Sequence, residues 1–193
     1  MQQSTKFPLL SGNLSIDLVN TEVVRRGQRH DLLPFETDIW DWLNIVQPHI
    51  PFWDEKILEM KNQLPAIKER LISMRTVLRK QFEAIADQHI VTDDFIAYLE
   101  GFIERAPITY KLRDNKLIPL PLGTTADMVM TLIALNALTL IAEQKLPLLK
   151  RCANTDCVLL FMDESGRRKW CSMKICGNRK KVAKFQHGKT ENM

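Results

Sequence analysis

A chain of 193 residues with 45% hydrophobic residues, 7 glycines and 9 prolines has room for one sizeable core and is neither collagen-like nor low-complexity. Its net charge of +4 is unevenly placed: residues 1–149 hold 16 Lys and Arg against 19 Asp and Glu, whereas residues 150–193 hold 11 against 4. The stretch Met1 to Lys6 is polar and no apolar core with a small-residue cleavage site follows, which argues against a secretory signal and for a cytoplasmic protein with reduced thiols. In chain order, the body reads as mainly α. Leu14, Ile16, Leu18, Val19 and Val23 follow Ser11-Gly12-Asn13 and predict a first apolar helix that ends in the polar run Arg25 to Arg29. Ile39, Trp40, Leu43 and Val46 make Glu36 to Val46 an amphipathic helix, stopped by Pro48 and Pro51. From Asp54 an apolar stripe runs from Ile57 to Ile85 in steps of mostly three or four, and Pro65 makes it one kinked helix or two helices that meet there. Thr92 with Asp93-Asp94 starts another helix. Residues 108–113 and 116–120 flank the turn Asp114-Asn115 and form the one convincing hairpin signal. Thr124 with Asp127 resembles a capping box, opening a helix whose uncharged run Met128 to Ala142 is 15 residues long and interrupted by Asn136. A bilayer needs about 20 apolar residues, so this reads as a buried central helix and not a membrane span.

Four cysteines, Cys152, Cys157, Cys171 and Cys176, end a chain with none in the first 151 residues. They form two C-x4-C pairs separated by 13 residues. Two short-range thiolate pairs brought together by a loop are what a tetrahedral zinc ion needs, and in a reducing compartment such a cluster favours a metal over disulfides. One Zn2+ per chain is expected; an iron–sulfur cluster also uses four thiolates and stays open. Four protein ligands leave no open position, so the ion holds a fold together and does not activate water. Val158 to Met162 reads as β-like, Asp163 to Gly166 as a turn, and Gly177 to Gln186 as helical. That order is treble-clef-like. The fold class is therefore mainly α (α+β): a helical domain with a small hairpin over residues 1–149, then a four-cysteine zinc finger over residues 150–193. The apolar link Leu146 to Leu149 has no Gly or Ser spacer, so the two parts should pack together, while the core of the body is expected to stand without the ion.

From Arg167 to Lys189 there are nine basic residues and no acidic one, more than the formal −2 of a zinc tetrathiolate requires. Concentrated positive charge points to nucleic acid, DNA first, with Arg167, Arg168, Lys174, Arg179, Lys180, Lys181 and Lys184 as candidate contacts. An RNA-binding module and a protein–protein adaptor are the competing readings. Asn178, two residues after a ligand, is assigned to orienting a cysteine sulfur, and Trp170 to packing. Asp17, Asn20, Thr21 and Arg25 cluster about the first helix as a candidate small-effector pocket; alternatively they cap that helix and pin the loop from Arg25 to Asp31. There is no phosphate loop, nucleophile elbow or His–carboxylate metal motif, and the histidines at 30, 49, 89 and 187 are scattered, so an enzyme is not expected.

The run from Ser165 through Arg167-Arg168-Lys169-Trp170-Cys171 to Cys176-Gly177-Asn178-Arg179 resembles the CGNR zinc finger, named for its last four residues. Leu14-Ser15-Ile16-Asp17-Leu18-Val19-Asn20-Thr21 resembles the opening of the ABATE domain, which commonly precedes that finger in bacterial proteins. The resemblance covers nearly the whole chain and is most specific over residues 152–179. It implies a zinc-binding protein of a family described as stress-induced transcriptional regulators, with DNA binding inferred from the finger.

Overall fold

The computed structural model describes residues 6–177. Asn178, Arg179, Lys180, Lys181 and Lys184, with the helix expected from Gly177 to Gln186, lie outside the described residues apart from Gly177 itself.

The first helix, α1 (Leu14–Val19), is short and all six of its residues are buried. A helix of this length leaves most of its backbone N–H groups without helical partners. Asn136 on a distant helix accepts from both the Ser15 N–H (3.0 Å) and the Ser15 hydroxyl (2.7 Å), which explains the polar residue in that helix's apolar run. The chain then departs from expectation. Val23 is not helical: β1 (Glu22–Arg25) and β2 (Gln28–Asp31) form an antiparallel hairpin. Arg26 and Gly27 both take positive φ, 53° and 76°, as a two-residue turn matched to strand twist requires.

The helices α2 (Glu36–Val46), α3 (Trp53–Asn62), α4 (Leu64–Gln88) and α5 (Asp93–Arg105) follow. Pro65 separates two helices and lies in the first turn of α4, where its missing N–H costs nothing. Thr92 caps α5, its hydroxyl accepting from the Phe95 N–H. The hairpin β3 (Ile108–Arg113) and β4 (Lys116–Pro121) turns at Asp114 and Asn115, both at positive φ. Thr124 caps α6 (Thr125–Ala142) by accepting from the Asp127 N–H.

By length and composition α6 could cross a membrane, but 61% of it is buried in the protein. It packs on α1, α3, α4 and α5, and is the central core helix. Along α4, Ile67, Leu71, Met74, Leu78, Phe82 and Ile85 face the same core. A 3₁₀ turn (Leu146–Leu148) leads into β5 (Leu149–Arg151), which pairs antiparallel with β6 (Leu160–Met162). Leu149 and Leu160 are fully buried members of the main core. The hairpin that carries the first cysteine pair is therefore part of the body's packing, in line with the spacer-free link Leu146 to Leu149.

Candidate metal centre

Cys152 follows β5 and Cys157 precedes β6, so the first pair sits in the loop of one hairpin. The Cys157 N–H donates to the Asn154 carbonyl (2.8 Å) and tightens that loop. The second pair is delivered by the segment after the turn at Gly166 (φ 66°). There the Ala153 N–H donates to the Lys169 carbonyl (2.8 Å), stitching the two segments side by side. Cys176 closes the set from a single wide helical turn, Met173–Gly177. At Gly177 a Cβ would meet only the end of the Met173 side chain, at 2.5 and 2.8 Å.

The four Sγ atoms all lie within 4.8 Å of one another, and Cys157 Sγ is 3.9 Å from Cys171 Sγ. With Zn–S bonds of about 2.3 Å, the edge of a tetrahedral ZnS4 unit is about 3.8 Å. The donors fit. Cys152, Cys171 and Cys176 are buried and Cys157 is half-buried. Two N–H donors face the sulfurs: the Cys171 N–H reaches Cys152 Sγ (3.4 Å), and the Asn154 amide reaches Cys176 Sγ (3.6 Å). Such donors favour thiolate and orient it. Competing only for protons, the thiols split. The hydrogen bond from Cys171 is the largest influence pulling Cys157 down to about 5. That same bond, then burial, pushes Cys171 far above the ordinary thiol range. Burial first raises Cys176 to about 11. A divalent cation at the centre replaces that competition by ionising all four.

Around the cluster, Arg168 is engaged internally. Its backbone N–H donates to Asp163 Oδ2 (3.0 Å), its guanidinium donates to the Met162 (3.0 Å) and Cys171 (2.6 Å) carbonyls, and it lies over the Phe161 ring at 4.5 Å. The described residues offered as nucleic-acid contacts, Arg167, Arg168 and Lys174, are all exposed, and Arg168 also clamps the finger together. Trp170 packs partly buried against the cysteine cluster, as expected. Asn154, two residues after the first ligand, escaped notice in the sequence; its place inside a C-x4-C loop was the available signal.

The first-helix polar residues are held by separate sets of partners. Asp17 Oδ1 accepts from the Leu10 N–H, the Ser11 N–H and the Ser11 hydroxyl. Thr21 donates to the Leu18 carbonyl and accepts from Arg75, whose guanidinium also grips both oxygens of Asp31. Arg25 is exposed at the hairpin end. Asn20 is fully buried and faces the finger: its amide donates to the Leu160 carbonyl (2.9 Å) while its Oδ1 accepts from the Leu160 N–H (2.9 Å). Buried Arg79 joins the same seam, donating to the Val19 and Val158 carbonyls and pairing with Glu22. These residues pin the hairpin and dock the finger.

Two family models match the chain: the CGNR zinc finger over residues 149–188, and ABATE, described as "Putative stress-induced transcription regulator", over residues 12–144. No curated protein gives a significant match. With more than half of its length matched by one family and four thiols converging within the other, the chain belongs to the ABATE family and carries a CGNR finger that binds one zinc ion.

Proposed function

We propose that this protein is a DNA-binding transcriptional regulator of the cytoplasm and not an enzyme, its zinc-stapled finger presenting the basic C-terminal stretch to the phosphate backbone. The observation that carries it is the charge division: 11 basic against 4 acidic residues over 150–193, on a body with 16 against 19. Zinc supplies a rigid scaffold, with exposed Arg167 and Arg168 before the second cysteine pair and exposed Lys174 within it, where they would meet phosphates without disturbing the ligands. Arg179, Lys180, Lys181 and Lys184 extend the same charge.

A salt-dependent titration on genomic DNA fragments tests the reading. If about five cations neutralise phosphates, log K falls with log salt at a slope of roughly −4 to −5. Tighter binding to structured RNA of matched length would make the finger an RNA module. Absence of binding to either at low salt would leave the adaptor.

The body is proposed as the sensory half, and the Asn20–Leu160 and Arg79–Val158 bonds are the route by which an effector would reach the finger. An effector shifts DNA affinity only through unequal affinity for the two states. A thermal-shift metabolite screen, followed by DNA titration with each hit, measures that coupling.

A further inference from the structure

The β1–β2 hairpin belongs to the body but is seated on the finger. Asn20, two residues before β1, is bonded to Leu160. Buried Arg79 pairs with Glu22 at the start of β1 and donates to the carbonyl of Val158, the residue after Cys157. Val23 packs against the cysteine cluster itself, as Trp170 and Ile175 do. The root of the hairpin is thus fixed to the loop that carries the first cysteine pair.

The charge of this hairpin is one-sided. Residues 23–30 hold Arg25, Arg26 and Arg29 and no acid, although the body as a whole has more acids than bases. The two acids at its base are already matched, Glu22 by Arg79 and Asp31 by Arg75, both buried arginines of α4. Arg29 lies 3.9 Å from Glu22 as well. Arg25 and Arg26, at the exposed end, have no carboxylate partner among the described residues. Side chains alternate along a strand, so Arg25 shares the face of Val23, the one turned to the cysteine cluster. Arg26 holds a φ of 53°, a left-handed conformation that Asn or Gly takes with less strain. A cation is kept at the tip against the local preference of the backbone.

We propose that Arg25 and Arg26 make a second contact with duplex DNA, the hairpin tip gripping backbone phosphates beside those met by the finger. The inference rests on the DNA-binding reading above and extends its interface from the finger onto the body. The dimensions agree. The four residue steps from Val23 to Gly27 span about 13 Å, well under the ~34 Å of one duplex turn, so tip and finger reach the same face of one duplex. Guanidinium groups match phosphate with paired N–H donors, and contacts of this kind fix orientation without reading sequence.

The test is titration of the full zinc-loaded chain against one duplex across salt, with charge-matched variants. Arg25→Gln combined with Arg26→Asn removes two charges and gives the turn a residue that favours it, so melting temperature and zinc content should hold. Binding at about 50 mM salt should weaken at least tenfold, and the slope of log K on log salt should flatten by about 2. Lys111→Gln combined with Lys116→Gln removes the same charge from the β3–β4 hairpin, which is separated from the finger by the 18 residues of α6. That variant should keep the wild-type slope. Wild-type affinity and slope in the arginine variant, with binding weakened by Arg167→Gln, overturn the proposal and leave the finger as the DNA contact. Equal losses in the lysine variant also overturn it, since net charge alone then explains the effect. A hairpin contribution seen with structured RNA and not with duplex DNA overturns the choice of partner. A wild-type chain that binds no duplex at low salt removes the DNA-binding reading itself, and this inference with it.

Discussion

Asn20 acts as a piece of strand that the chain does not have. Its amide exchanges two bonds with Leu160 as a backbone neighbour would, and it is fully buried. Asn20→Ala leaves a buried N–H and a buried C=O unpaired, each costing about 1–3 kcal/mol; urea denaturation should show a loss of roughly 2–4 kcal/mol. Asp17 behaves otherwise. Burial raises its carboxyl above the usual range, against the lowering effect of its bonds from Ser11 and Leu10. All three of those bonds end on one oxygen, Oδ1, which an asparagine supplies as well. Asp17→Asn should therefore change stability at neutral pH by less than about 1 kcal/mol. The pH dependence carries the sign: a raised folded pKa means wild type gains stability as pH falls through that raised value toward the unfolded value of about 3.9. In the variant this gain is absent, as melting curves across that window will register. The polar cluster itself was visible in the sequence. Its partners were not, because Leu160 lies 140 residues from Asn20 and Arg75 lies 54 from Thr21, and local spacing carries no information at that range.

Elements with local punctuation were legible. The helix from Glu36 to Val46, the break at Pro65, the caps at Thr92 and Thr124 and the Asp114-Asn115 turn are each decided by neighbours a few residues away. The β1–β2 hairpin was missed because Arg26 stands where Asn or Asp usually signals such a turn, and because Val23 continued the apparent helical pattern. The cysteine pairs were the plainest signal, since metal geometry restricts ligand spacing. The body's share in β5 and β6 was hidden, because burial of Leu149 and Leu160 depends on tertiary contact. It sets an outcome: stripping zinc with a strong chelator should loosen residues 152–176 and also lower the melting temperature of the helical body by roughly 5–10 °C. Protons compete with zinc for thiolates, so zinc-dependent stability is present at neutral pH and is lost on acidification. A body melt indifferent to chelation would separate the two cores. Gly177→Ala should do far less, because Met173 is half exposed and can swing aside.

At the scale of the whole molecule, a mildly acidic helical body and a strongly basic finger share one seam, held by Asn20, Arg79 and the bond network around Leu160. The seam also has a history in time. A ribosome adding about 5–20 residues per second releases Leu160 on the order of ten seconds after Asn20, given the 140 residues between them. Until then α1, buried on every side in the finished protein, lacks the β5–β6 hairpin as cover, and for most of that time α6 as well. Contacts closed over so long a loop form late. The nascent chain thus carries its most apolar N-terminal segment uncovered through most of its synthesis, and cells short of zinc would prolong that exposure, making chaperone capture of the newborn chain a function of metal supply.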